Sequence, residues 1–113
     1  MQHARLADLL ARIPGLRTAR WPEGERFAAA LSHGSMHVEL YAPQGHDPQQ
    51  PHDQDELYVV QQGRATLVMG DERAACSAGD VLFVPAGAMH RFEGFSADFC
   101  AWVIFWGPHG GER

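Results

Sequence analysis

Residues 50–63 of this 113-residue chain read QPHDQDELYVVQQG, and residues 79–94 read GDVLFVPAGAMHRFEG. These two stretches indicate how the chain folds. Each holds a short apolar run bounded by turn-forming residues, and each carries one histidine near that run. Short runs rich in valine and aromatic residues between Gly, Pro, Asp or Ser are typical of β-strands. The sequence therefore predicts strands at Leu57–Val60 and Val81–Val84, each followed by a turn.

The same pattern of short apolar runs extends to both sides of these stretches. Turn signals such as Gly70-Asp71 separate the runs from one another. Many short strands at near-regular spacing are typical of an antiparallel sandwich or barrel. The further strands predicted are Phe27–Leu31, Met36–Tyr41, Ala65–Met69, Arg73–Cys76, Met89–Phe92 and Phe99–Trp106.

The first residues follow a helical rather than a strand pattern. Leu6, Leu9, Leu10 and Ile13 fall at i, i+3, i+4 and i+7, which forms one apolar stripe on a helix. Pro14 and Gly15 then end the helix. We expect a single domain over residues 1–113, with a helix at about residues 3–13 and strands over about residues 27–106.

Composition excludes two classes of partner. The net charge of −5 leaves no basic surface for nucleic acid. The longest apolar run, residues 99–106, is far shorter than the roughly 20 residues that span a bilayer. The N-terminus lacks the continuous apolar segment of a secretion signal, so we expect a cytoplasmic protein in which Cys76 and Cys100 are free thiols.

The two stretches resemble the paired motifs of the cupin superfamily. The family's second motif, G-x5-P-x-G-x2-H, is matched at every spacing by Gly79, Pro85, Gly87 and His90. In the first motif, Glu56 and Gly63 keep the family's six-residue spacing, and His52 precedes them. The resemblance covers about residues 27–106. It implies an all-β fold, a jelly-roll barrel of two antiparallel sheets, with a short N-terminal helix.

The resemblance also implies a metal site. Two imidazoles and a carboxylate, from His52, His90 and Glu56, match the ligand set of many divalent transition metals. Gln50 stands where the family has its first histidine, and it offers a neutral amide oxygen as a fourth ligand. We expect one divalent ion held by Gln50, His52, Glu56 and His90. Zinc is the first choice, with iron, nickel and manganese left open.

Several alternatives stay open at this point. His52 and Glu56 form an ordinary hydrogen-bonded pair if the barrel holds no metal. Gln54 and His46 compete with Gln50 for the fourth position. A separate group, His37, Glu39 and Tyr41, shares one face of a predicted strand; we expect this face to meet solvent, the alternative being the barrel mouth.

Two functions of different classes follow from the resemblance, which is closest to the small cupins of tetracenomycin-type polyketide synthesis. In the first, the protein is a metal-dependent enzyme acting on a small aromatic or polyketide-like molecule, with the metal as Lewis acid. In the second, it is a non-catalytic accessory protein that binds a small molecule in the barrel. The sequence offers only Tyr58 and His37 as acid or base candidates outside the ligand set.

The last predicted strand points to a partner. Residues 99–106 are apolar on both strand faces, whereas a strand with one solvated face alternates. One face fills the barrel, and the narrow stripe of the N-terminal helix covers only part of the other. The sequence therefore predicts a homodimer, and the rival account is coverage by the helix and residues 17–22 alone.

Overall fold

The turn residues that punctuate the sequence separate eight short strands. The computed structural model describes all 113 residues. One helix, α1, spans Leu6–Leu10. The strands are β1 Phe27–His33, β2 Met36–Tyr41, β3 Asp55–Gln62, β4 Arg64–Met69, β5 Glu72–Ser77, β6 Val81–Val84, β7 His90–Glu93 and β8 Cys100–Trp106.

All strand pairings are antiparallel, and they form two sheets. The larger sheet has the order β1-β2-β8-β3-β6, and the smaller has the order β5-β4-β7. Strands distant in sequence are thus neighbours, because the chain crosses repeatedly from one sheet to the other. This is the arrangement of a jelly roll, and the predicted all-β class of two antiparallel sheets with a short helix is confirmed.

The main core lies between the two sheets. The larger sheet contributes Tyr58, Val60 and Val103, and the smaller contributes Leu67 and Phe92. These side chains recur at every second position because successive residues of a strand point to opposite faces. Cys76 and Cys100 are both buried free thiols, as expected.

Helix α1 is shorter than predicted, although it buries the predicted stripe. It ends at Leu10 because Ala11 and Arg12 form a turn, and because a residue that precedes proline, here Ile13, avoids the helical conformation. Leu9 packs with Leu40 on the outer face of the larger sheet. No helix of this structure has the length and apolar character needed to cross a membrane.

The polar face of β2 points into the barrel, so the expectation of a solvent face is wrong. β2 lies between β1 and β8, and Leu40 on its opposite face packs beneath α1. His37, Glu39 and Tyr41 therefore line a cleft inside the barrel. The sequence showed their alternation. Alternation alone would place the apolar face of β2 in the interior of the barrel. That face is instead covered by α1 on the outside of the sheet, so the sequence could not show which side the polar residues face.

The outer face of the larger sheet remains apolar beyond the reach of α1. On β8, Trp102, Ile104 and Trp106 are half-buried and lie on the face away from the core. On the edge strand β6, Val81 and Phe83 expose 60% and 53% of their surface. The cluster around α1 includes Trp102 but neither of these β6 residues. Large apolar side chains are thus left uncovered at the β6 edge.

Gly63, which closes the first motif, occupies a crowded turn between β3 and β4. Its φ of +76° lies in the left-handed region. A Cβ atom there would lie 2.4 Å from Oγ of Ser96 and 2.8 Å from Cα of Phe99. The turn is bonded to this same segment, since the backbone N–H of Arg64 donates to Ser96 Oγ at 3.0 Å. Only glycine satisfies both the conformation and the close approach.

We predict that Gly63→Ala destabilises the protein more than Gly94→Ala does. Gly94 also has a left-handed φ, of +56°, but a Cβ there meets nothing within 4 Å. In the control Gly94→Ala, the free energy of unfolding should therefore decrease only by the conformational cost of a side chain at this φ, about 1–2 kcal/mol. Gly63→Ala adds a steric clash to that cost. Urea denaturation measures both free energies of unfolding. Equal losses would contradict the close-approach explanation.

Candidate functional site

A cleft of about 690 Å³ opens between β2, β8 and the loop that joins β2 to β3. Its walls carry the aromatic rings of Trp21, Phe27, Tyr41 and Phe105. Polar groups, including His37, also face it. The volume and this mixture of aromatic and polar groups are typical of sites that bind small molecules.

Glu56 of β3 and His90 of β7 meet next to this cleft, between the two sheets. Nε2 of His90 lies 2.8 Å from Oε1 of Glu56, and both side chains are almost fully buried. β3 and β6 pair so that Glu56 stands opposite Val84. The chain then turns through residues 85–89 and enters the other sheet at His90. The two predicted motifs are thus brought into direct contact.

Hydrogen bonds fix the turn that carries His90. The backbone N–H of Gly87 donates to the carbonyl oxygen of His52 at 2.6 Å. The carboxylate of Asp55 accepts from the N–H of Ala86 at 3.0 Å and from that of Glu112 at 2.9 Å. The N–H groups of Glu112 and Ala86 lower the pKa of Asp55 because they stabilise its charged form. The second motif is therefore held in place by the first.

The hydrogen bonds around His90 specify its protonation state. Nδ1 lies 2.9 Å from the carbonyl oxygen of Ala88, to which it can only donate. The Tyr58 hydroxyl donates its single proton to Oε1 of Gln49 at 3.0 Å, so its oxygen accepts from Nε2 of His90 at 2.9 Å. Both ring nitrogens then carry protons. Burial lowers the pKa of His90, but the hydrogen bond and charge of Glu56 outweigh it, and the pKa is raised.

Gln49 and Asp47 are site residues that the sequence analysis missed. Nε2 of Gln49 donates to Asp47 at 2.7 Å, which turns the amide oxygen toward Tyr58. Asp47 also accepts from the Tyr41 hydroxyl and from the backbone N–H of Phe92 at 2.8 Å. This carboxylate ties the loop to both sheets. No spacing rule singles out either residue, because both lie in an irregular loop.

One oxygen of Glu56 lacks a partner. Oε2 is buried and makes no hydrogen bond, while Oε1 faces His90. A buried, unpaired carboxylate oxygen is costly, because it has lost its water without gaining a donor or a cation.

His52 lies close to this pair but not against it. Its ring centroid is 4.6 Å from that of Phe105 and 6.3 Å from that of His90. Burial is the main cause that lowers the pKa of His52, and the neutral form is the one that binds metals. As the side chains stand, no three His, Cys, Asp or Glu residues are grouped closely enough to hold a metal ion.

The candidates for a fourth ligand lie in different surroundings. Gln50 is exposed and lines the cleft. Gln54 is committed to backbone carbonyl oxygens, those of Ser35 and Gly107. His46 is exposed and does not line the cleft. β3 begins only at Asp55, so residues 50 and 52 do not share its alternation, and their side chains are positioned by the loop.

A second imidazole–carboxylate pair lines the cleft on β2. Nε2 of His37 lies 3.2 Å from Oε2 of Glu39. The His37 ring is nearly parallel to that of Phe105, with an interplanar angle of 18° and centroids 6.2 Å apart. Burial raises the pKa of Glu39, with support from the charges of Glu56 and Glu25 and against the opposing hydrogen bond from His37.

Comparison with known proteins agrees with this architecture. The cupin domain family matches residues 37–105. An uncharacterized protein of Streptomyces coelicolor is 36% identical over 99 residues, which cover 86% of this chain and 94% of that protein. Two solved structures share the fold at lower identity. KdgF of a Halomonas species is 16% identical with a TM-score of 0.63, covering 74% of this chain and 80% of its own.

The other solved structure is a cupin 2 conserved barrel domain protein of Salinispora arenicola. It is 22% identical with a TM-score of 0.61, and the match covers 72% of this chain and 74% of that one. The family match spans more than half of the chain and includes β2 through β8 up to Phe105. The chain therefore belongs to the cupin family.

Proposed function

We propose that this cupin binds one divalent metal ion through His52, Glu56 and His90 and acts as an enzyme on a small aromatic molecule in the cleft. The observation that carries the proposal is the buried, unpartnered Oε2 of Glu56 beside His90. A cation is the partner that best offsets the cost of burying that oxygen, because it takes the place of the lost hydration.

The donor set fits a transition metal. Glu56 supplies a carboxylate oxygen and His52 an imidazole nitrogen, and His90 supplies a second one once Nε2 gives up its proton on metal binding. Burial favours the neutral form of His52. Gln50 is our proposed fourth ligand, since it lines the cleft with His52 and, unlike Gln54, is not bonded to backbone carbonyl oxygens. Zinc remains the first choice, with iron, nickel and manganese as alternatives. When bound, the ion would supply Lewis-acid chemistry toward a carbonyl or enol oxygen.

The walls of the cleft support an aromatic ligand. Phe105 lies beside His52, and Trp21 packs edge-on against both Phe27 and Tyr41. Aromatic rings attract other rings in edge-to-face and offset arrangements. A polyketide-like molecule is therefore the substrate class that we propose.

A non-catalytic binding protein is the second candidate, and a specific observation favours it. Glu56 and His90 pair directly with one another, and Tyr58 completes the hydrogen bonding of His90. His52 stands apart from them. Such a barrel would use the cleft to hold a ligand and would need no ion. Metal content distinguishes the two candidates.

The first prediction of this proposal concerns metal content. We expect His52→Ala and His90→Ala to weaken zinc binding more than about 100-fold, because outer partners of metal ligands alone contribute 10–100-fold. His33→Ala is the control, since His33 is exposed at the end of β1. Elemental analysis after zinc reconstitution and gel filtration measures the occupancy. If both ligand variants retain one zinc ion per chain, the assignment is wrong.

The second prediction concerns the pH dependence of stability in the metal-free protein. Because the pKa of His90 is raised on folding, the Glu56–His90 pair stabilises fully below the unfolded histidine value of about 6.5. That stabilisation is lost as pH rises through the higher folded value. We expect the free energy of unfolding to decrease as the pH rises above about 6.5, and to decrease less in Glu56→Gln. Urea titrations with chelator present measure both slopes, and equal slopes would contradict the pairing.

We also propose that a second copy of the chain covers the outer face of the larger sheet. Val81 and Phe83 on the β6 edge are more than half exposed, and Phe83 lies beside Trp106 of β8. A two-fold dimer would bury this patch on both subunits at once. Burial of large apolar side chains is the main driving force of such association.

Sedimentation equilibrium at micromolar concentration tests the dimer. We expect the wild type to have twice the 12.5 kDa mass of one chain, and Phe83→Arg to have the mass of one chain. Leu16→Arg is the matched control, because Leu16 is 77% exposed but lies outside the sheets. A wild-type mass near 12.5 kDa would overturn the proposal.

A further inference from the structure

The cleft holds an acid–base pair that the metal assignment does not use. His37 and Glu39 lie two residues apart on β2, on the face that points into the barrel. Nε2 of His37 is bonded to Glu39 at 3.2 Å. Nδ1 of His37 makes no hydrogen bond within the protein. A largely buried carboxylate thus orients an imidazole whose second nitrogen is available to a ligand.

The pair lies on the same face of the larger sheet as Glu56, which is buried and does not itself line the cleft. Strand pairing places His37 beside Phe105 and Phe105 beside Glu56, in one row across three strands. Neighbouring strands are about 4.8 Å apart, so the backbones of His37 and Glu56 are separated by about 10 Å. The Phe105 ring lies between them and contacts the rings of both His37 and His52. A planar ligand lying against Phe105 would contact His37 on one side and His52 on the other.

We propose that His37 is the general base of the reaction in this cleft and that Glu39 positions it. The proposal rests on the proposed enzymatic function. Its substrate class is an aromatic ketone with a hydrogen on the carbon next to the carbonyl. That C–H bond breaks, its electron pair forms the C=C bond of the enolate while the π pair of the carbonyl moves onto its oxygen, and the proton moves to Nδ1 of His37. The same nitrogen returns a proton to carbon, so no co-reactant is consumed.

Glu39 contributes through His37 rather than through the ligand. Its hydrogen bond keeps the proton of neutral His37 on Nε2, which leaves Nδ1 as the acceptor. Its charge then stabilises the imidazolium that forms. The other charged groups that line the cleft make no hydrogen bond to His37. Glu25 and Arg20 lie on the segment before β1, and Asp53 is paired with His109.

The remaining candidates for proton transfer are less suited to it. Burial and the charge of Glu56 raise the pKa of Tyr58 well above its ordinary value, and its hydroxyl is already bonded to Gln49. His90 has both nitrogens engaged. His52 belongs to the proposed ligand set. Among the imidazoles of the cleft, His37 alone combines a fixed orientation with a free nitrogen.

The first experiment needs neither metal nor turnover. ¹⁵N NMR of the histidine rings in metal-free protein reports which nitrogen of neutral His37 carries the proton. We expect the Nε2–H form to predominate in the wild type, and its excess to decrease in Glu39→Gln. Exposed His33 provides an internal reference with no carboxylate partner. A predominant Nδ1–H form in the wild type would overturn the positioning role.

The second experiment follows proton exchange in a defined probe. 2-Hydroxyacetophenone is incubated in D₂O with zinc-reconstituted protein, and ¹H NMR measures the loss of its methylene hydrogens. We expect exchange faster than with buffer and zinc alone, and a loss of about 100-fold in His37→Ala, as for other general bases. Added imidazole should restore part of the rate in that variant. Glu39→Gln should lose rate too, whereas the exposed-site control Glu23→Gln should not.

The outcomes separate this inference from the proposed function. Metal content of each variant is measured before the exchange assay. A wild type that binds no zinc refutes the metal site, and the NMR experiment still tests the His37–Glu39 pair. A zinc-loaded wild type that exchanges no faster than buffer and zinc overturns the inference. A His37→Ala variant that exchanges the methylene hydrogens at the wild-type rate also overturns the inference.

Discussion

Burial of the Glu56 carboxylate against His90 governs the arrangement of the whole site. Removing a carboxylate from water costs several kcal/mol unless a close partner offsets it. Here the partner comes from the other sheet, at 2.8 Å. The contact therefore requires β3 and β7 to face each other in one register. The Asp55 and Gly87 hydrogen bonds, which hold the intervening turn, serve the same requirement.

The interior of the barrel is divided into a packed half and an open half. Around Phe92 and Phe99 the space between the sheets is filled by packed rings, with centroids 4.8 Å apart. Toward the loop that joins β2 to β3, polar side chains replace apolar ones and a cleft opens. Asp47 marks the boundary, because its carboxylate accepts from the Phe92 backbone and from Gln49. A packed half thus supports a hollow, polar half.

The cleft has two chemically different sides. On one side His52 lines the cleft, and beyond it Glu56 and His90 are buried and paired across the sheets. The other carries His37 and Glu39, which share one strand and remain open to the cleft. Phe105 separates the two sides. This cupin thus presents an aromatic surface in the cleft, flanked by imidazole and carboxylate groups that come from different strands and from the loop.

The strands, their number and the meeting of the two motifs could all be predicted from the amino-acid sequence. Met36–Tyr41 and Val81–Val84 were predicted with their observed bounds, since turn residues flank both. Glu56 and His90 were predicted as neighbours because two spaced motifs identified them, and local spacing survives folding. The cupin family could likewise be identified from these motifs.

The inward side of each element and the positions of the loop residues, in contrast, depended on long-range packing. The face of β2 that carries His37 could not be assigned, because α1 covers the opposite face and both are shielded. Gln49 contacts the Tyr58 hydroxyl, whereas the next residue in the loop, Gln50, is exposed. Alternation predicts side-chain direction only within a strand, and β3 starts after these residues. The position of Gln49 follows instead from its hydrogen bond to Asp47, whose carboxylate also accepts from the backbone N–H of Phe92, which is distant in sequence.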